Sequence, residues 1–155
     1  MDAPRLKQLD ETLGRLWSSR VDKFTVDAWR CRLFMNLTST EFGKDTLFEL
    51  IFSRVSGFSF LHNIENYSAT GHSSERFEFL GEDEVEPSDY TELTSVHYRS
   101  TPSYQVVWNH LTAKNPLVVS FRPNFLLEMW SSLLLIEAMD VTINKETFEV
   151  GRSEA

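Results

Sequence analysis

From Trp29 to Leu37 the chain alternates, with Trp29, Cys31, Leu33, Met35 and Leu37 on one side and Arg30, Arg32, Phe34 and Asn36 on the other. A two-residue period of this kind predicts a strand with one buried face. A second apolar segment runs from Leu47 to Val55, and Gly57-Phe58-Ser59-Phe60 extends it after a glycine. Between the two lies the polar stretch Thr38 to Thr46, rich in turn formers. The pattern predicts two antiparallel neighbours joined by a loop.

The flanking segments set the fold class. Leu6, Leu9, Leu13, Leu16 and Trp17 recur at helical spacing among charged residues, so one amphipathic helix is expected over residues 4–17. Val21 to Val26 reads as a short strand or a linker. Leu61 to Ser74 reads as a connection, Arg76 to Leu80 and Tyr90 to Arg99 alternate, and Leu117 to Phe121 is β-branched and apolar. Tyr104 to Leu111 leaves strand and helix open. Phe125 to Val141 also allows a helix, but two strands hinged at Ser131-Ser132 are preferred, because the segment runs into the strand-like Asp140 to Ile143 with no Gly or Pro between. Asn144-Lys145-Glu146 then looks like a hairpin turn into Thr147 to Val150. The expected fold is α+β: an N-terminal amphipathic helix followed by a mainly antiparallel, curled sheet or β-sandwich. A chain of 155 residues fits a single domain, 1–155, with a β-rich core over 27–150 and a tail over 151–155.

Charge bounds the partners. The formal charge is -8, and residues 51–100 hold nine acids against three bases. Such a surface argues against nucleic acid and anionic membranes and suits a basic protein partner. The acids concentrate at Glu82, Asp83, Glu84, Glu86 and Asp89, which are the candidate partner-binding residues. A solvated loop is the plain alternative for that run. The N-terminus lacks the apolar core of a secretion signal, and the single cysteine, Cys31, allows no internal disulfide. A cytoplasmic location is the expectation.

Catalytic signatures are missing. Cys31 sits on the apolar side of the predicted strand and reads as a small buried hydrophobe. His62, His72, His97 and His110 lie far apart at no ligand spacing, leaving only a site assembled in space from His97, His110 and a carboxylate. Glu49 and Glu137 interrupt apolar strands and are expected to pair with Arg30, Arg32 or Arg54, or to line an interior polar pocket. No metal, cofactor or catalytic set is assigned, and an enzyme is not expected.

Trp29…Leu33, then Leu47-Phe48-Glu49-Leu50-Ile51-Phe52 with Val55-Ser56-Gly57-Phe58, then Leu135-Ile136-Glu137-Ala138, resemble in order small acidic bacterial proteins of the toxin-immunity type. The resemblance covers most of the chain and carries no site residue. Together with the -8 charge, the small size and the missing catalytic set, the expectation is a non-enzymatic interaction protein, in its concrete form an immunity protein binding a basic partner. The alternative is a small β-rich ligand-binding protein or enzyme with an aromatic pocket lined by Trp29, Trp108 and Trp130. A homodimer through the helix stripe or an edge strand is also compatible with the pattern.

Overall fold

The computed structural model describes residues 1–40, 43–61, 92–101, 106–110, 117–129 and 132–151; for Leu61, 106–110 and 117–120 it describes the backbone only. One helix, α1 (Ala3–Gly14), opens the chain, and eleven strands follow among the described residues. They are β1 (Arg20–Asp27), β2 (Arg32–Ser39), β3 (Thr46–Ser53), β4 (Gly57–Leu61), β5 (Ser95–Tyr98), β6 (Val106–His110), β7 (Leu117–Phe121), β8 (Phe125–Met129), β9 (Ser132–Glu137), β10 (Asp140–Ile143) and β11 (Glu146–Glu149). The α+β class and its antiparallel pairing are as the sequence predicts: every strand pair among them is antiparallel.

Two sheets form the layers. The first has the order β1-β2-β3-β10-β11 and the second β4-β9-β8-β5, with β6-β7 as a separate ribbon. Leu33, Met35 and Leu37 of β2 lie opposite Phe52, Leu50 and Phe48 of β3. Opposed residues share a face, so these make the inner surface of the first sheet. The second sheet answers with Phe125, Leu127, Leu134 and Ile136, all in the same buried cluster. The Phe52 and Phe125 rings meet edge to face, 5.1 Å between centroids, and so join the layers.

A corner connects them. Ser53 of β3 pairs with Asp140, whereas Gly57 of β4 pairs with Glu137. The ribbon β3–β10 therefore continues as β4–β9 across residues 54–56 and 138–139, changing sheet on the way. The sequence pattern predicts Phe58 and Phe60 on an extension of the Leu47–Val55 strand; they belong instead to the opposite layer. The bend is closed by Ser56 N–H donating to the Glu137 carbonyl (3.0 Å) and Met139 N–H to the Ser53 carbonyl (3.3 Å). Arg54 adopts φ +52 and forks onto the Asp140 carboxylate through Nε and Nη2. Buried Asn124 serves Ala138 like a strand partner, donating Nδ2–H to its carbonyl (2.8 Å) and accepting its N–H on Oδ1 (3.1 Å). Gly57 opens β4 directly beneath Phe121, where an added Cβ would stand 2.5 Å from Cγ of that ring.

Helix α1 is capped by Asp2, whose carboxylate accepts from Arg5 N–H at 3.0 Å, and Pro4 sits in its first turn, where no N–H is needed. It ends at Gly14, short of the expected residue 17. Leu9, Leu13 and Leu16 are buried, but Trp17 is exposed in the following turn and not part of the apolar stripe. The helix reaches the last strand of each sheet: it packs on β5, and Arg5 lies 4.2 Å over the Phe148 ring of β11 while bonding Glu146. At the far end of the first sheet, Asn144 and Lys145 both take positive φ, 47° and 74°. The hairpin turn expected at Asn144-Lys145-Glu146 is thus present but takes two residues, since Glu146 already pairs with Ile143, and it has the twist such hairpins prefer.

Replacing Asn124 with Ala strands a buried N–H and a buried carbonyl of Ala138. An unpaired buried polar group costs roughly 1–3 kcal/mol, so Asn124→Ala should lower unfolding free energy by about 2–4 kcal/mol in urea titrations. Gly57→Ala should destabilise by about 1–3 kcal/mol through overpacking against Phe121, and Gly57→Ala with Phe121→Leu should recover part of that loss.

Candidate functional site

The inner faces are not closed equally on all sides. On β1, Phe24 pairs with buried Met35 and Val26 with buried Leu33, so both side chains point between the layers. On β4, Phe58 pairs with buried Ile136 and Phe60 with buried Leu134, and they too face inward. Yet Phe24 is 40% exposed, Val26 42%, Phe58 40% and Phe60 39%. β1 and β4 are each the terminal strand of a sheet, and the Phe24 and Phe58 rings meet edge to face at 6.5 Å. The result is an apolar seam with partial access to water, the kind of surface that marks a contact site.

The β1–β2 turn, residues 28–31, adjoins this seam. Trp29 stands there 98% exposed. Asp27 shapes the turn by accepting Arg30 N–H at 3.1 Å, and Val55 N–H ties it to the corner through the Cys31 carbonyl at 3.0 Å. Two sequence expectations are corrected here. Trp29 and Cys31 are not on the strand's apolar face: Cys31 is exposed at φ +51, and the apparent alternation runs on through a turn. Trp29 consequently lines no interior pocket. Trp130 and the Trp108 side chain lie outside the described residues.

A bulge sets the phase of β1. Val21 and Asp22 together oppose Leu37, after which Lys23 opposes Asn36. The bulged Asp22 accepts from the Thr38 hydroxyl and from Arg20 Nε–H (2.6 Å). The Thr38 hydroxyl first, and then Arg20, hold the Asp22 carboxyl below the usual carboxylate range.

The other candidates scatter. Glu82, Asp83, Glu84, Glu86 and Asp89 lie outside the described residues, as do His62 and His72. His97 is exposed on β5 opposite Leu126, and His110 lies on β6 opposite Leu117. Among the described residues, no three His, Cys, Asp or Glu side chains gather to hold a metal. Arg54 pairs with Asp140 rather than with Glu49 or Glu137. Glu49 is exposed, so no interior polar pocket forms around it, and Glu137 accepts Arg122 N–H at 3.0 Å. Sequence reasoning passed over Phe24, Val26, Phe58 and Phe60; the alternation Lys23-Phe24-Thr25-Val26-Asp27 was the available signal for the first two.

The framework is thus that of an α+β protein whose two antiparallel layers share a corner, with a surface seam as its most distinctive exposed feature. Residues 9–148 match the model of the YxiG-like protein family, and the chain belongs to that family. No curated protein matches it. Among the described residues, no helix is long and apolar enough to cross a membrane.

Because Asp22 has a depressed pKa when folded, its contribution to stability is present above the ordinary carboxylate value of about 3.9 and is lost as pH falls through the folded value. Thr38→Val removes the principal cause. The stability gap between wild type and Thr38→Val should therefore be widest near neutrality and narrow in acid below about pH 4, measured by urea titration at each pH.

Proposed function

We propose that this YxiG-like chain is a non-enzymatic protein-interaction module of the cytoplasm, in its most concrete form an immunity protein that neutralises a basic toxin. The observation that carries the binding role is the seam. Four inward-facing apolar side chains remain about two-fifths exposed, and a fully exposed Trp29 stands beside them. Exposing such groups costs solvation free energy that a bound protein surface recovers. Charge supports the partner's chemistry. With nine acids against three bases in residues 51–100, Glu82, Asp83, Glu84, Glu86 and Asp89 form the proposed docking run for a basic surface.

The test is capture from lysate of the native cell with a tagged full chain, joined to co-expression with the products of adjacent genes. A basic protein should be retained and its toxicity suppressed. Reversing Glu82, Asp83 and Glu84 to Lys should slow association by about tenfold or more at low salt, with a smaller effect at high salt. Recovery of no protein partner, with no neighbouring toxin neutralised, defeats the proposal.

A further inference from the structure

The strand that borders the seam is self-complementary. Along β1, Phe24 and Val26 face inward, while Lys23, Thr25 and Asp27 face outward, a phase fixed by the bulge at Asp22. Among the described residues, one edge of β1 pairs with β2 and the other meets only Glu92, at Arg20. That leaves the edge from Lys23 to Asp27 without a neighbouring strand among those residues.

We propose that this edge and the seam behind it close on a second copy of the same chain, β1 pairing antiparallel with β1 about a twofold axis at Thr25. The inference rests on the reading of the seam as a contact surface, and names what covers it. In that register Lys23 lies opposite the second copy's Asp27, Phe24 opposite its Val26, and Thr25 opposite its own equivalent. Opposite charges, an aromatic with a β-branched residue, and Thr with Thr are the cross-strand pairs that stabilise antiparallel sheets. Twofold symmetry gives the charged and apolar pairs twice. One-residue shifts are excluded because they set inward side chains against outward ones. Two-residue shifts move the axis to Phe24 or Val26 and set Lys23 or Asp27 against Thr25, so the charged pairs are lost.

The surroundings fit this arrangement. Lys23 has no ion-pair partner among the described residues, and the Asp27 carboxylate, engaged by Arg30, has lone pairs to spare. Residues 20–27 hold two acids and two bases, so the contact strand is neutral in a chain of charge -8. The pairing carries Trp29 to the level of the second copy's Val21, beside the bulge. The two five-stranded sheets become one continuous sheet, and the half-exposed Phe24 and Val26 gain apolar neighbours. An isologous contact of this kind closes on itself and stops at two chains.

Sedimentation of the full chain across a wide concentration range tests the idea. Wild type should show a reversible monomer–dimer equilibrium. Lys23→Asp alone sets acid against acid, and Asp27→Lys alone sets base against base, so each should raise the dimer dissociation constant by about tenfold or more. An equal mixture of the two variants should dimerise again, because every charged pair is then opposite in sign. Thr25→Lys, which puts two cations on the axis, should dissociate the dimer without touching the Asp27 turn. A wild type that stays monomeric throughout, or a mixture that stays monomeric, overturns the proposal. If wild type is monomeric but Phe24→Lys weakens partner capture from lysate, the seam binds another protein and only the second copy is ruled out. If neither measurement responds, both readings fall.

Discussion

The molecule depends on a corner in which a two-stranded ribbon leaves one sheet and enters the other. Bending a ribbon frees peptide groups that the straight ladder would have paired, and at buried Ala138 water cannot serve them. Here several are given substitutes. Asn124 takes both polar groups of Ala138, Met139 N–H finds the Ser53 carbonyl, and Val55 N–H reaches the Cys31 carbonyl in the next hairpin. Arg54 sits in left-handed backbone, unusual for a side chain of its size, and its fork onto Asp140 opposes relaxation of that conformation. With the corner held, Phe52 and Phe125 face each other; without it the two apolar faces would have no reason to meet.

The same corner decides which sides of the core are sealed. α1 touches β5 and β11, the last strands of the two sheets, and contributes Leu9, Leu13 and Leu16 to the common core. Glu146 bonds both Arg5 and Gln8, and the Arg5 guanidinium lies over Phe148, so one polar cluster fixes the helix on β11. Nothing equivalent serves β1 and β4 among the described residues. Their inward side chains are left at the rim, and the asymmetry follows from having, among the described residues, one helix and two pairs of terminal strands.

How far the sequence spoke depended on whether the relevant signal was local. The alternation from Leu33 to Leu37, the division of residues 125–137 into two paired strands and the turn that starts at Asn144 are each contained in a few residues, and each was legible. Trp29 and Cys31 were misplaced because the alternation happens to continue in phase through the turn, although Asp27 carried a turn signal of its own. Phe58 and Phe60 were assigned to the wrong layer since a run of apolar residues does not reveal where a ribbon changes sheet. The closing partners, Asn124 for Ala138 and Asp140 for Arg54, lie 14 and 86 residues away, beyond any pattern of neighbours. Of the candidate surface, the acidic run is visible as composition, while the seam exists only once two strand edges are brought together in space.

An edge strand with an alternating apolar face is ordinarily a hazard, restrained by bulges and charges. β1 has both, but they are distributed so as to limit pairing rather than abolish it. The Asp22 bulge and the Arg20–Glu92 bridge close the first part of the edge, leaving a neutral five-residue window whose pattern reads the same toward its own copy. The opposing force is the repulsion of two bodies each carrying -8. That repulsion acts over distance and is screened within about 8 Å at physiological salt, whereas the paired side chains are in contact. In the proposed pair, salt therefore weakens what holds two chains apart before it weakens what joins them, and the proposed capture of a basic partner by the acidic run responds in the reverse sense. On these two proposals, one chain carries two protein contacts of opposite electrostatic character, a neutral edge strand and an acidic run.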